Sequence, residues 1–162
     1  MNSENGCDVE DLRPGMQATF SKTITEADVV LFAGVSGDNN AVHVNEEFAA
    51  TTRFGSRIAH GFLTASVMSA AVANRLPGPG TIYLSQQMSF LAPVRPGDTV
   101  HATVTVVSVD PVKARVVLKH GVPGARSGGH RRRGDSDDHL ERASREGKDL
   151  CGVVGSSVKE RR

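Results

Sequence analysis

The chain has 162 residues, a net charge of +1 and 38% hydrophobic residues, enough for one domain with a real core and too little for two comfortable ones. The near-neutral charge argues against nucleic acid or an anionic membrane surface as a partner. No basic-then-apolar leader opens the sequence and no run approaches the ~20 apolar residues of a membrane span, so a soluble cytoplasmic protein is expected. Cys7 and Cys151 stand in unrelated contexts without metal-ligand spacing, as in a reduced intracellular chain. Aromatic residues are scarce, so the core must come from Val, Leu, Ile, Ala and Met.

Residues 14–119 read as a folded domain. Pro14-Gly15 is a turn, and Ala18 to Ile24 can form a first strand. Thr25, with Glu26 and Asp28 behind it, marks a helix start with negative charge in its first turn, and that helix runs to Gly37. A polar loop follows. Asn45 can then cap a second short helix through Glu46, Glu47, Phe48, Ala49 and Ala50. From Gly61 to Leu76 the residues are nearly all apolar or small, which predicts a helix buried on nearly every side. Pro77-Gly78-Pro79-Gly80 stops it.

Strand patterns come next. Ile82, Leu84, Met88 and Phe90 fall on one face, with Tyr83, Ser85, Gln87 and Ser89 on the other. Gln86 interrupts the apolar face as a polar group reaching into a cavity. After the Pro96-Gly97-Asp98 turn, Val100, Ala102, Val104 and Val106 alternate with polar residues, and Ala114 to Leu118 begins another strand. These patterns suggest an α+β arrangement in which long antiparallel strands surround one buried helix.

Residues 120–162 differ. They carry Arg131-Arg132-Arg133, many glycines and few large apolar side chains. Two explanations stand: a disordered charged tail, or the product of a shifted reading frame. Back-translating His120 to Asp135 with GC-rich codons and dropping one base permits Thr-Val-Cys-Arg-Val and then Asp-Thr-Val-Val-Val, which restores strand alternation.

Within 14–119 the polar loop draws attention. Asp38 and His43 are a carboxylate and an imidazole five residues apart. Such a pair can exchange protons near neutral pH, although each taken singly is ordinary loop or packing chemistry. Gly61 opens the buried helix, where a free N–H at the positive end of the helix dipole can meet a developing oxyanion. His60 is expected to orient this turn rather than to do chemistry. Ser66 and Ser69 either bond back to carbonyls one turn earlier or face a polar pocket. Glu46-Glu47 reads as a solvated first turn. No phosphate loop, zinc-ligand spacing or nucleophile elbow is found.

The Ser36-Gly37-Asp38 loop with Asn40 and His43 is followed by Thr52-Arg53-Phe54-Gly55, Ile58-Ala59-His60-Gly61, Leu76 to Leu84 and Phe90-Leu91-Ala92-Pro93-Val94. Over residues 14–119 this series resembles the MaoC-like dehydratases, the (R)-specific enoyl-CoA hydratases of the hot-dog superfamily. The resemblance implies an antiparallel sheet wrapped round a long central helix, here with its C-terminal strands missing or altered. It also implies a homodimer or dimer of dimers, and reversible hydration of trans-2-enoyl thioesters to (R)-3-hydroxyacyl thioesters carried on CoA or acyl carrier protein. By position, Asp38 and His43 match the catalytic pair, Asn40 a loop asparagine beside them, Gly61 the glycine whose N–H polarises the thioester carbonyl, and Ser69 a supporting helix serine. No metal or redox cofactor is implied. Asn39 stands where the family usually has an aromatic residue, Ala41 where it usually has proline, and Phe62 where methionine is common. Two other readings are a hot-dog thioesterase, which would release free thiol, and a non-catalytic module that binds acyl thioesters without turnover.

Overall fold

A computed structural model of the chain describes residues 6–121 and the backbone of 150–156. Five strands form one antiparallel sheet: β1 (Gln17–Thr23), β2 (Thr81–Gln86), β3 (Thr99–Asp110), β4 (Arg115–Gly121) and β5 (Leu150–Ser156), in the order β1-β3-β4-β5-β2. Between β1 and β2 the chain makes four helices, α1 (Glu26–Ser36), α2 (Ala41–Val44), α3 (Glu46–Ala50) and α4 (Gly61–Asn74). The α+β class expected from the patterning is the class observed. Among the described residues, no helix is long and apolar enough to cross a membrane.

The alternation in β3 does what period-2 patterning requires: Val100, Ala102, Val104 and Val106 are all buried. On the other face of the β1–β3 pair, side chains meet across the ladder, Thr19 with Thr103 at 2.9 Å, Ser21 with His101 at 2.7 Å and Thr23 with Thr99 at 2.8 Å. Helix α4 lays Leu63, Val67, Met68, Ala71 and Val72 against β1 and β3. Each fully buried Val or Leu of this core is worth roughly 1.5–3 kcal/mol.

Helix α1 begins with a full capping box. The Thr25 hydroxyl accepts from the Asp28 N–H, and the Asp28 carboxylate accepts from the Thr25 N–H at 2.8 Å. Those bonds from Thr25, with Lys22 at 3.0 Å, lower the Asp28 pKa to about 2. The cap is therefore complete above the ordinary carboxylate range and is lost as pH falls toward 2. At the other end Gly37, with φ of 75°, turns the chain left-handed. Asp38 comes directly after that turn.

Three expectations are corrected. Residues 41–44 are helical, because the Asn40 side chain accepts from the Val42 N–H and caps a turn that reads in sequence as plain loop. Helix α4 is not buried on nearly every side: Phe62 is 67% exposed, and Ser66, Ser69 and Ala73 are also open. These four recur at helical spacing, so they form one stripe turned away from the sheet. In β2 the faces are reversed, with Ile82 and Leu84 outward and Tyr83 packed on the core. A register shift between Tyr83 and Ser85 then brings Gln86 inward, with its amide nitrogen buried as the sequence suggested. Most of the expected tail lies outside the described residues. Of its described residues, 120–121 end β4 and 150–156 form β5, between β4 and β2. Val153 and Val154 supply β propensity that the composition of the whole tail conceals.

Candidate active site

The site is assembled where α1, α2 and α4 converge. Gly37 ends α1, and the three residues after it fold into a chain of local bonds. The Asp38 N–H donates to Ser36 Oγ at 3.1 Å, and the Asn40 N–H donates to Asp38 Oδ1 at 3.2 Å. This leaves Asp38 exposed with its carboxylate held by its own loop. Asn40, matched by the resemblance to a loop asparagine beside the pair, is the cap of α2, and α2 carries His43.

His43 is 9% exposed, and its Nδ1 lies 2.8 Å from the Ile58 carbonyl oxygen. A carbonyl only accepts, so Nδ1 bears the proton of that bond. In the neutral ring the lone pair is then on Nε2, the nitrogen left for a water or a substrate proton. The segment supplying this carbonyl is itself fastened. The Ile58 N–H returns to the Val42 carbonyl at 3.3 Å, and the Ala59 N–H reaches the Val94 carbonyl at 2.7 Å. One residue earlier, Arg57 donates to Glu26 at 2.8 Å and to Glu46 at 3.0 Å. The hydrogen bond to Glu46, reinforced by the Glu26 charge, pushes the Arg57 pKa upward. Glu46, read in sequence as a solvated first-turn residue, thus helps tie α1 and α3 to the segment that holds His43.

His60 is 2% exposed and stands between Phe32, at a ring separation of 5.0 Å, and His43, at 3.9 Å. Its Nε2 donates to the Asp38 backbone carbonyl at 2.9 Å. The next residue, Gly61, is the first of α4, so its N–H is among those without an acceptor inside the helix and lies at the positive end of the dipole. A Cβ at Gly61 would come within 3.1 Å of the Phe90 ring, so glycine is what lets that ring approach. Phe62 meets the same ring edge-on at 6.0 Å.

One oxygen of Asp38 and one nitrogen each of His43 and His60 lie within 4.8 Å of one another. By composition these residues could hold a metal. The two rings are tilted by 33° with centroids 3.9 Å apart. His43 Nδ1 and His60 Nε2 are each already engaged by a backbone carbonyl, which leaves one nitrogen on each imidazole for a proton or another partner.

Ser66 bonds back to the Leu63 carbonyl at 2.6 Å, as helix serines commonly do. Ser69 is exposed on the α4 stripe. It sits eight residues beyond Gly61, about 12 Å along the helix at ~1.5 Å per residue. The contacts that sequence reading missed are the Ile58 carbonyl, the Arg57 clamp and the His60 bond. All join residues too far apart in the chain for a spacing rule to reach.

Residues 11–123 match the family described as MaoC like domain. The chain is 54% identical over 110 residues to the (R)-specific enoyl-CoA hydratase of Rhodospirillum rubrum, a match spanning 68% of this chain and 76% of that one. It is 49% identical over 109 residues to the 3-hydroxybutyryl-CoA dehydratase of Methylorubrum extorquens, spanning 67% and 69%. Among solved structures, the unliganded R-hydratase PhaJ1 of Pseudomonas aeruginosa is similar with a TM-score of 0.75 and 35% identity, covering 95% of this chain and 88% of that one. The (R)-hydratase of A. caviae involved in PHA biosynthesis gives a TM-score of 0.73 at 33% identity, covering 91% and 99%.

Proposed function

This chain belongs to the MaoC-like dehydratase family, and we propose that its Asp38–His43 pair drives the reversible hydration of trans-2-enoyl-CoA to (R)-3-hydroxyacyl-CoA. Its fold is the hot-dog fold of its structural neighbours. The observation that carries the proposal is the Asp38 oxygen and the His43 nitrogen lying within 4.8 Å of each other, beside the N-terminus of α4.

The reaction adds water across a conjugated double bond. A hydroxyl bonds to the β-carbon, a proton bonds to the α-carbon, and no oxidant or reductant is consumed. As water attacks, it loses a proton to the pair and negative charge moves to the thioester oxygen. The Gly61 N–H, with the dipole of α4 behind it, stabilises that enolate-like oxygen. The pair then returns a proton to the α-carbon on the face from which water came. Asn40 serves by capping α2 and so aiming His43.

The stripe of Phe62, Ser66, Ser69 and Ala73 supports a homodimer in which a second copy covers the open side of α4. The substrate is carried as an acyl thioester, and we place the protein in the cytoplasm. Loss of the conjugated-thioester absorbance of crotonyl-CoA tests the chemistry. Asp38→Ala and His43→Ala are each expected to slow it by about 10²–10⁴-fold while leaving thermal unfolding cooperative. An unchanged rate in either variant removes the proposal.

A further inference from the structure

We propose that His60 is a positioning residue for this reaction, one that holds the Asp38 loop, the His43 ring and the Gly61 N–H in register through a single side chain and its own backbone. The inference rests on the hydration reading above. Three contacts carry it. The His60 Nε2–H donates to the Asp38 carbonyl at 2.9 Å, across 22 residues of sequence. One ring face packs on His43 at 3.9 Å, and Phe32 stands 5.0 Å away on α1. The His60 carbonyl accepts the Thr64 N–H at 3.1 Å, so the same residue is the N-cap from which α4, and with it Gly61, begins.

Burial adds an independent argument. His60 Nδ1 is buried and has no hydrogen-bond partner among the described residues. Leaving a nitrogen unpaired in the interior is unfavourable. An apolar side chain would fill the space between Phe32 and His43 without that defect. What such a side chain could not do is donate to Asp38. The Asp38 loop is exposed, its other bonds are to its own neighbours, and the His60 bond is what ties it to α4. Catalytic geometry tolerates little misplacement, so loosening this bond lowers turnover without removing a reacting group.

The test compares two near-isosteric variants of the full chain. In His60→Gln the amide nitrogen takes the place of Nε2 and keeps the donor, whereas His60→Met keeps the bulk and loses it. The expected result is a kcat for His60→Met lowered by about 10–100-fold with KM changed by less than about twofold. His60→Gln is expected to retain at least about a third of wild-type kcat. Amide exchange of residues 38–40 gives a readout free of turnover, expected to rise about tenfold or more in His60→Met and to stay near wild type in His60→Gln.

Equal losses in both variants, wild-type kcat in His60→Met, or unchanged exchange at 38–40 in His60→Met overturns the proposal. Failure of both variants to fold also overturns it, since the donor is then not what the site needs from His60. An inactive wild type would instead sink the hydration reading, and the exchange comparison would still decide whether His60 holds the loop.

Discussion

Around Asp38, the buried imidazoles are put to use: His43 Nδ1 holds the Ile58 carbonyl and His60 Nε2 holds that of Asp38. On β2 and β4, by contrast, the Tyr83 hydroxyl, the Gln86 amide nitrogen and both nitrogens of His120 are buried with no partner among the described residues. The first group closes over sequence separations of 15 and 22 residues. The second sits on two strands separated in the sheet by β5, across which the Tyr83 and His120 rings stack at 6.4 Å. Two buried imidazoles thus tie the Asp38 loop and the segment before α4, leaving His60 Nδ1 without a partner among the described residues, while β2 and β4 hold a larger group of such atoms. Burial alone acts there, pushing the Tyr83 pKa up to about 12 and lowering that of His120.

The sharpest way to break this contrast is to take one donor from the ordered end. Gly61→Pro removes the N–H at the first position of a helix, where proline is well tolerated. His60 before it already has the extended ψ of 138° that a following proline needs. The Phe90 ring must swing aside, and it is exposed enough to do so. A fall in kcat of about 10²–10³-fold on crotonyl-CoA is expected with the helical circular dichroism kept. Turnover unchanged by this variant would separate Gly61 from the oxyanion.

At the opposite end the effect should be on stability and of opposite sign. His120 is 1% exposed with neither nitrogen paired among the described residues, so His120→Val is expected to stabilise the chain by about 1–3 kcal/mol in urea unfolding. Because burial lowers the folded-state pKa of His120, the unfolded chain binds the proton first as pH falls below ~6.5. Stability from this position is full above that pH and declines below it. The variant should flatten that decline, and an unaltered slope would mean that His120 finds a partner.

A smaller effect concerns the loop itself. Ala41 opens α2, and its residue type departs from the proline that the resemblance leads one to expect. Ala41→Pro should raise the thermal midpoint slightly, in line with about 0.4–1 kcal/mol from a more restricted unfolded chain, and leave KM unchanged. Destabilisation would show that the loop is already as tightly set as its caps allow.

Much of the ordered end was legible because its signals are local. Thr25 with Asp28, and Asn45 ahead of Glu46, announced their helices, and the alternation from Val100 to Val106 announced β3. Asp38, His43 and Gly61 could be picked out by residue type and position. Helix α2 was not legible, since Asn39-Asn40 reads as a turn until the Asn40 cap is seen. Nor was the His60 bond, which depends on how α4 docks. In β2 the alternation of Ile82 and Leu84 gave the period but not which face meets the core, and it left no sign of the shift between Tyr83 and Ser85 that turns Gln86 inward. The reading-frame expectation for residues 120–162 bears on the same region, and sequencing the gene across codon 119 tests it.

The product made by the unaltered chain is the most direct test of enoyl-thioester hydration. Incubated with crotonyl-CoA, the chain should form (R)-3-hydroxybutyryl-CoA, release no free thiol, and run in reverse on the R but not the S thioester. Release of free CoA, or binding of the thioester without turnover, would contradict hydration.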